Sequence, residues 1–237
     1  MKYSNYIFDL YGTLVDIRTD ENSPALWKKL ALFYGFYDAL YTPEELQNAY
    51  FQMVACQEAD THEAHPEIRI ENVFAELFAR KGVSADDALV IHAGQFFRIL
   101  STRYVRLYPY ADQLLATLQH SDSHVYLLSN AQRIFTEYEL HTLGIAQYSD
   151  DILISSDYGI KKPDIRFFRI LIDKHHIDPA HSIMIGNDGV SDIDGAKAAG
   201  LHTLYIRSNI SSKEELPEAD YVLRRMNLRR VERLLTE

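Results

Sequence analysis

Hydrophobic and polar positions change their spacing along the chain, and the changes mark out its organisation. Tyr6-Ile7-Phe8 is a continuous apolar run closed at once by Asp9, the mark of a short buried strand. From about Ile17 to Tyr104 the spacing is helical, with no convincing strand. Ser23-Pro24 opens one helix as cap and first-turn proline, and Thr42 and Glu45 open the next at capping-box spacing. Val73, Phe74, Leu77 and Phe78 form a helical stripe that Gly82 ends. Ser84 is the expected cap of a further helix running from Ala85 towards Tyr104. From Leu107 onward the pattern alternates. Helices are predicted over Ala111–Gln119, Ile134–Gly144, Ile165–His175 and Ile193–Ala199. Strands are predicted over Val125–Leu128, Ile152–Ile154, Ile183–Ile185, Thr203–Ile206 and Tyr221–Leu223. Strands alternating with helices predict an α/β fold, a parallel sheet covered on both faces. The expected division is a core of residues 1–16 and 105–237, split by an all-helical cap over 17–104.

Polar residues stand immediately after four of these strands. Asp9 follows the first, Ser129-Asn130 the second, Lys161-Lys162-Pro163-Asp164 the third, and Asn187-Asp188, with Asp192 beyond, the fourth. In a parallel sheet these ends share one side, where ligands bind. Each has a bland reading: Ser129-Asn130 as a turn, the lysines as solvated loop residues, Asp188 and Asp192 as helix-start acids. Together they form a phosphoryl-transfer set. Asp9 would attack phosphorus, while Ser129 donates to a non-bridging oxygen and Lys162 supplies positive charge. Asp188, Asp192 and Asn187 would hold a hard cation such as Mg²⁺. Clustered carboxylates repel unless a cation sits among them, which is the reason to expect metal.

Composition narrows the partners. The 237 residues carry 24 basic against 34 acidic side chains, a formal net charge of -10. That charge argues against nucleic acid and anionic membrane surfaces. Arg224, Arg225, Arg229, Arg230 and Arg233 lie on a helical pattern with Leu228, Val231 and Leu234 and read as a solvated face. The single cysteine, Cys56, rules out an intrachain disulfide and is expected to be buried and inert. No apolar stretch approaches the roughly 20 residues of a membrane span, and no signal-peptide core is present, so a cytoplasmic location is expected. The segment around His62 and His65 reads as a polar loop, since that spacing alone is a weak metal signal.

The combination Asp9-Leu10-Tyr11-Gly12-Thr13-Leu14-Val15-Asp16, Leu128-Ser129-Asn130, Lys162-Pro163-Asp164 and Gly186-Asn187-Asp188 through Ala196 resembles the haloacid dehalogenase (HAD) superfamily of hydrolases. The resemblance implies a Rossmann-like core, an aspartyl nucleophile, and a helical cap that closes over the site. It further implies Thr13 and Asn130 as substrate contacts, and metal held by Asp9, the Tyr11 carbonyl, Asn187, Asp188 and Asp192. Two positions depart from the family's phosphatases. Tyr11 stands where their second Asp protonates the leaving group, and Asn187 stands where Asp is usual. Tyrosine has an ordinary pKa of about 10 and donates a proton poorly near neutrality.

Tyr11 matches the family's 2-haloacid dehalogenases, in which Asp attacks carbon without metal. Against that rival, no arginine occurs between Arg18 and Arg69, Lys161 replaces a tyrosine, and the pair Asp188 and Asp192 is present. The favoured expectation is Mg²⁺-dependent hydrolysis of a small, anionic phosphorylated metabolite with a good leaving group, by a monomer or homodimer. A dehalogenase, or a weakly active ligand-binding homologue, is the alternative. Lys28, Lys29, Arg69, Arg98 and Arg103 are candidate anion contacts of the cap.

Overall fold

The computed structural model describes residues 1–212 and 216–236. The chain begins with β1 (Asn5–Phe8) and β2 (Val15–Thr19). Helices α1 (Pro24–Gly35), α2 (Pro43–Ala59), α3 (Ile70–Ala79) and α4 (Asp87–Ser101) follow, then β3 (Thr102–Leu107). Strands and helices then alternate: α5 (Ala111–Gln119), β4 (His124–Ser129), α6 (Arg133–Thr142), β5 (Asp151–Ile154), α7 (Ile165–His175), β6 (Ser182–Gly186), α8 (Gly195–Ala198), β7 (His202–Ile206), β8 (Tyr221–Leu223) and α9 (Leu228–Thr236). Six strands form one parallel sheet in the order β5-β4-β1-β6-β7-β8.

Alternation along β1 explains the two covered faces. Tyr6 and Phe8 pack with Leu114, Leu115 and Leu118 of α5 and with Val231 and Leu235 of α9. Ile7 points the other way, with Leu128 and Met184, onto Phe167, Phe168 and Leu171 of α7. Both sides being buried, β1 carries the continuous apolar run of a parallel sheet.

Helices α1 to α4 form an insert with its own apolar centre, including Trp27, Tyr34, Tyr50, Phe74, Phe78 and Phe97. Tyr34 stacks on Phe78 with centroids 4.1 Å apart, and such a pair adds about 0.5–1.5 kcal/mol to the area it buries. The Thr42–Glu45 capping box is complete, with hydrogen bonds of 3.2 and 2.8 Å. Three expectations are corrected here. Asp86, not Ser84, caps α4, accepting from the Leu89 N–H at 2.8 Å. Cys56 is exposed, because it turns off the stripe of Leu46, Tyr50 and Met53 that α2 buries. The segment 17–104 also contains strand, since β2 and β3 pair antiparallel with Val15 opposite Leu107 and Ile17 opposite Val105. Asp16 anchors this ribbon, accepting from Arg106 at 2.8 and 2.9 Å and from Asn209 at 3.0 Å.

The loop between α2 and α3 ties the insert to the core a second time. The Glu67 carboxylate accepts from the Ser155 hydroxyl at 2.6 Å and from Gln132 Nε2 at 3.0 Å. The His65 carbonyl accepts from the Lys161 N–H at 3.1 Å, and Lys161 pairs with Glu58 at 3.3 Å. The loop thus belongs to the insert–core contact. No helix among the described residues is long and apolar enough to cross a membrane.

Burial raises the Glu67 pKa above its ordinary 4.5, against the hydrogen bond from Ser155. An acid raised in the folded state contributes stability that is present below its unfolded pKa and is lost as pH rises through the folded one. Glu67→Gln is therefore expected to melt close to the parent at low pH and progressively above it as pH rises past about 4.5. Melting temperatures at several pH values test this, and a gap that stays constant with pH would refute it.

Candidate active site

The backbone register sets the site. Phe8 is paired with Leu127 on one side and Ile185 on the other, so Asp9 emerges level with Leu128 and Gly186. The order of strands reverses at β1, and ligand crevices form at such points. Two glycines make the close approach possible. A Cβ on Gly186 would lie 2.3 Å from Asp192 Cγ. A Cβ on Gly12, whose φ is +90°, would lie 2.6 Å from Asn187 Oδ1.

At the centre is the Lys162 ammonium, 2.8 Å from Asp9 Oδ1 and 2.7 Å from Asp192 Oδ1. All three residues are buried. Burial alone would lower the lysine pKa, but the carboxylates of Asp192 and Asp9 reverse this and raise it. The ammonium is therefore held charged. The other Asp192 oxygen accepts from the backbone N–H groups of Asn187 and Asp188, at 3.0 and 2.9 Å. The Thr13 hydroxyl lies 3.3 Å from Asp9 Oδ2 and 3.2 Å from Asn187 Oδ1. Ser129, at the end of β4, has a buried hydroxyl with no hydrogen-bond partner among the described residues. That donor is free for an oxygen brought by a ligand.

Several side chains take partners that the chain pattern did not foretell. Asn130 exchanges two hydrogen bonds with the Lys162 backbone, Nδ2 to the carbonyl at 2.9 Å and N–H to Oδ1 at 2.8 Å. It braces the lysine backbone. Asp188 Oδ1 turns back to cap its own helical turn, accepting from the Val190 and Ser191 N–H groups at 3.1 and 2.7 Å. Asp192 spends both oxygens on Lys162 and the backbone. The cation that relieves Asp9 and Asp192 is thus the lysine itself. Among the described residues, no three His, Cys, Asp or Glu side chains gather as a metal cage.

Tyr11 points its hydroxyl to Glu139 Oε2 at 2.6 Å, with Thr136 Oγ1 at 3.1 Å. Burial, reinforced by the Glu139 charge, pushes the phenol above its usual pKa of 10. Glu139 was not among the expected site residues. Its signal was available: Thr136, Glu139 and Leu140 lie at i, i+3 and i+4 on the buried face of α6, and an acid in such a stripe requires a partner. That partner is Arg98, at 2.6 Å. Arg103 pairs with Asp20 and Arg69 with Glu71, while Lys28 and Lys29 are exposed on α1.

A family model described as haloacid dehalogenase-like hydrolase matches residues 3–200. The chain is 32% identical over 161 residues to a phosphoserine phosphatase of Thermus thermophilus, a match spanning 68% of this chain and 63% of that one. Among solved structures, a 2-haloacid dehalogenase of Pseudomonas syringae superposes with a TM-score of 0.68 at 20% identity, covering 98% of each chain. The HAD-hydrolase YfnB of Bacillus subtilis, bound to magnesium, gives 0.60 at 22% identity over the full length of both. At these identities the structural likeness is one of fold.

Removing the central cation should leave two buried carboxylates uncompensated. Lys162→Met is expected to lose about 3–5 kcal/mol of stability, and Asp192→Asn added to it should restore part of the loss. Urea midpoints measure both, and an unchanged midpoint for Lys162→Met would count against the bridge.

Proposed function

Because the chain belongs to the haloacid dehalogenase-like hydrolase family, we propose that this hydrolase cleaves a small phosphorylated molecule, with Asp9 as the attacking group. The observation that carries the reading is the setting of that carboxylate. One oxygen is pinned by Lys162 at 2.8 Å, and the other is touched by the Thr13 hydroxyl at 3.3 Å. Among the described residues the Ser129 hydroxyl, at the neighbouring strand end, has no partner. Asp9 would attack phosphorus to give an aspartyl phosphate, which water then hydrolyses. Lys162 reduces the repulsion between the anionic nucleophile and the phosphoryl group, and Ser129 donates to a phosphoryl oxygen. The insert α1 to α4, joined to the core by the β2–β3 ribbon, would act as the cap that excludes water.

Mg²⁺ fits this donor set in a modest way. The Thr13 hydroxyl reaches Asp9 Oδ2 and Asn187 Oδ1 together, so two hard oxygens lie close to one point. Those two and the Tyr11 carbonyl would hold the ion, with substrate oxygens and water completing its shell. Asp188 and Asp192 would serve only by giving up their present partners. When bound, the ion supplies positive charge to the phosphoryl oxygens. One carboxylate instead of two predicts weak binding that substrate phosphate strengthens. The magnesium-bound YfnB structure supports a divalent ion on this fold.

Dehalogenation is the second reading, favoured by Tyr11 and by the Pseudomonas syringae likeness. It would need a cation to hold the substrate carboxylate, and Arg98 is already committed to Glu139. The phosphatase name of the Thermus relative supports the first reading.

The phenol proton of Tyr11 is committed to Glu139, so leaving groups must depart without it. Aryl and acyl phosphates are therefore the expected substrates, and turnover should fall as leaving-group pKa rises. Phosphate release from an aryl phosphate is expected to stop on chelation and return with Mg²⁺, and Asp9→Asn should lower it by at least about 10³-fold. Chelator-resistant halide release from 2-chloropropionate, with no phosphate release, would establish the dehalogenase reading instead.

A further inference from the structure

Glu139 joins three segments that the reaction needs in register. A buried carboxylate is costly unless its lone pairs are satisfied, and this one takes three donors. Arg98 Nε donates to Oε1 at 2.6 Å and Arg98 Nη2 to Oε2 at 3.1 Å. The Tyr11 hydroxyl donates to Oε2 at 2.6 Å. The donors come from different places. Tyr11 lies two residues after Asp9 in the loop that presents the nucleophile. Arg98 lies in the last turn of α4, just ahead of β3. Glu139 sits on α6, the helix that follows Ser129 and Asn130.

The bracing continues at both ends. The Arg98 carbonyl accepts from the Ser101 and Thr102 hydroxyls at 3.1 and 2.7 Å, fixing the step from α4 into the ribbon. The Arg98 guanidinium also lies over Phe135 and Tyr11, 5.3 and 5.6 Å from their ring centroids. A shift of the insert that pulled Arg98 away would leave Glu139 half-satisfied and weaken its hold on Tyr11. Charge-assisted, partly bidentate pairing of this kind is strong and directional.

We propose that Glu139 is a positioning residue that couples the helical insert, through Arg98, to the loop carrying Asp9, through Tyr11. In this role the Tyr11 hydroxyl is a strut and not a proton donor. The inference rests on the hydrolase reading of Asp9 for its kinetic consequence, but the mechanical link stands on the three contacts alone.

Two measurements on the full chain test it, with Tyr11→Phe, Glu139→Gln and Arg98→Lys. Hydrogen exchange in the unliganded protein should quicken in residues 10–19, 98–107 and 129–139 for every variant. Quickening confined to the segment bearing the substitution would overturn the coupling. On a series of aryl phosphates, kcat should fall roughly 10–100-fold, as misplacement of a reacting group does, with KM held within about twofold. The slope of log kcat against leaving-group pKa should stay parallel to the parent. The Tyr11→Phe/Glu139→Gln double variant should be no slower than the worse single one, the mark of a shared network. Additive losses, or a steeper slope for Tyr11→Phe, would overturn the proposal, the latter by making the phenol a proton donor. Tyr11→Phe removes a single oxygen and carries the test if Glu139→Gln fails to fold. Should the parent release no phosphate, the phosphatase reading fails, and the exchange measurement still decides the link.

Discussion

One buried ammonium organises the active end of this molecule. Lys162 can sit between Asp9 and Asp192 only because both carboxylates reach it within 2.8 Å. An unpaired buried charge would cost several kcal/mol. That constraint propagates outward. Gly186 must lack a side chain so that Asp192 can approach, and Asn130 must hold the Lys162 backbone in place. Asp192 must also take the N–H groups of Asn187 and Asp188. Residues that follow β1, β4, β5 and β6 are fixed by one charge balance, and the Asp9 carboxylate inherits its orientation from it.

The same balance changes how the acidic residues are understood. Asn187, Asp188 and Asp192 after β6 resemble a cation site when written in a row. In three dimensions Asp192 is neutralised from within the protein and Asp188 caps a helical turn. On the proposed reading, the oxygens left for an ion would be those of Asp9 and Asn187, which the Thr13 hydroxyl reaches together, with the Tyr11 carbonyl. A divalent ion bound there would depend on the substrate's own phosphate for much of its coordination, which links binding of the two.

Among the described residues, three of the contacts between the insert and the core stand out. The ribbon anchored by Asp16 is covalently continuous with both parts, the Glu67 loop binds Ser155 and Gln132, and Glu139 binds Arg98. The last also reaches Tyr11. A tyrosine at this position is therefore explained by mechanics as readily as by chemistry. Its hydroxyl joins the loop after Asp9 to the helical insert by way of Glu139 and Arg98.

Much of the architecture was legible along the chain, because burial on both faces writes itself as short apolar runs. The spans of α5 and α7 and the strands β1, β4 and β6 follow from that pattern, as do the positions of Asp9 after β1 and Ser129 at the end of β4. The ribbon was not legible: Val15 and Ile17 gain meaning only beside Leu107 and Val105, as Asp16 does beside Arg106, a partner 90 positions distant. Nor was the choice of partner for Asp192, Asp188 or Asn130, since a carboxylate or amide in sequence looks alike whether it meets metal, backbone or lysine. Local spacing determines which residues are buried and which element they join, because periodicity is a property of the single chain. Which charge neutralises which, and which phenol is tied to which acid, was decided only by the tertiary structure, because Coulomb and hydrogen-bond energies depend on distances that folding alone creates.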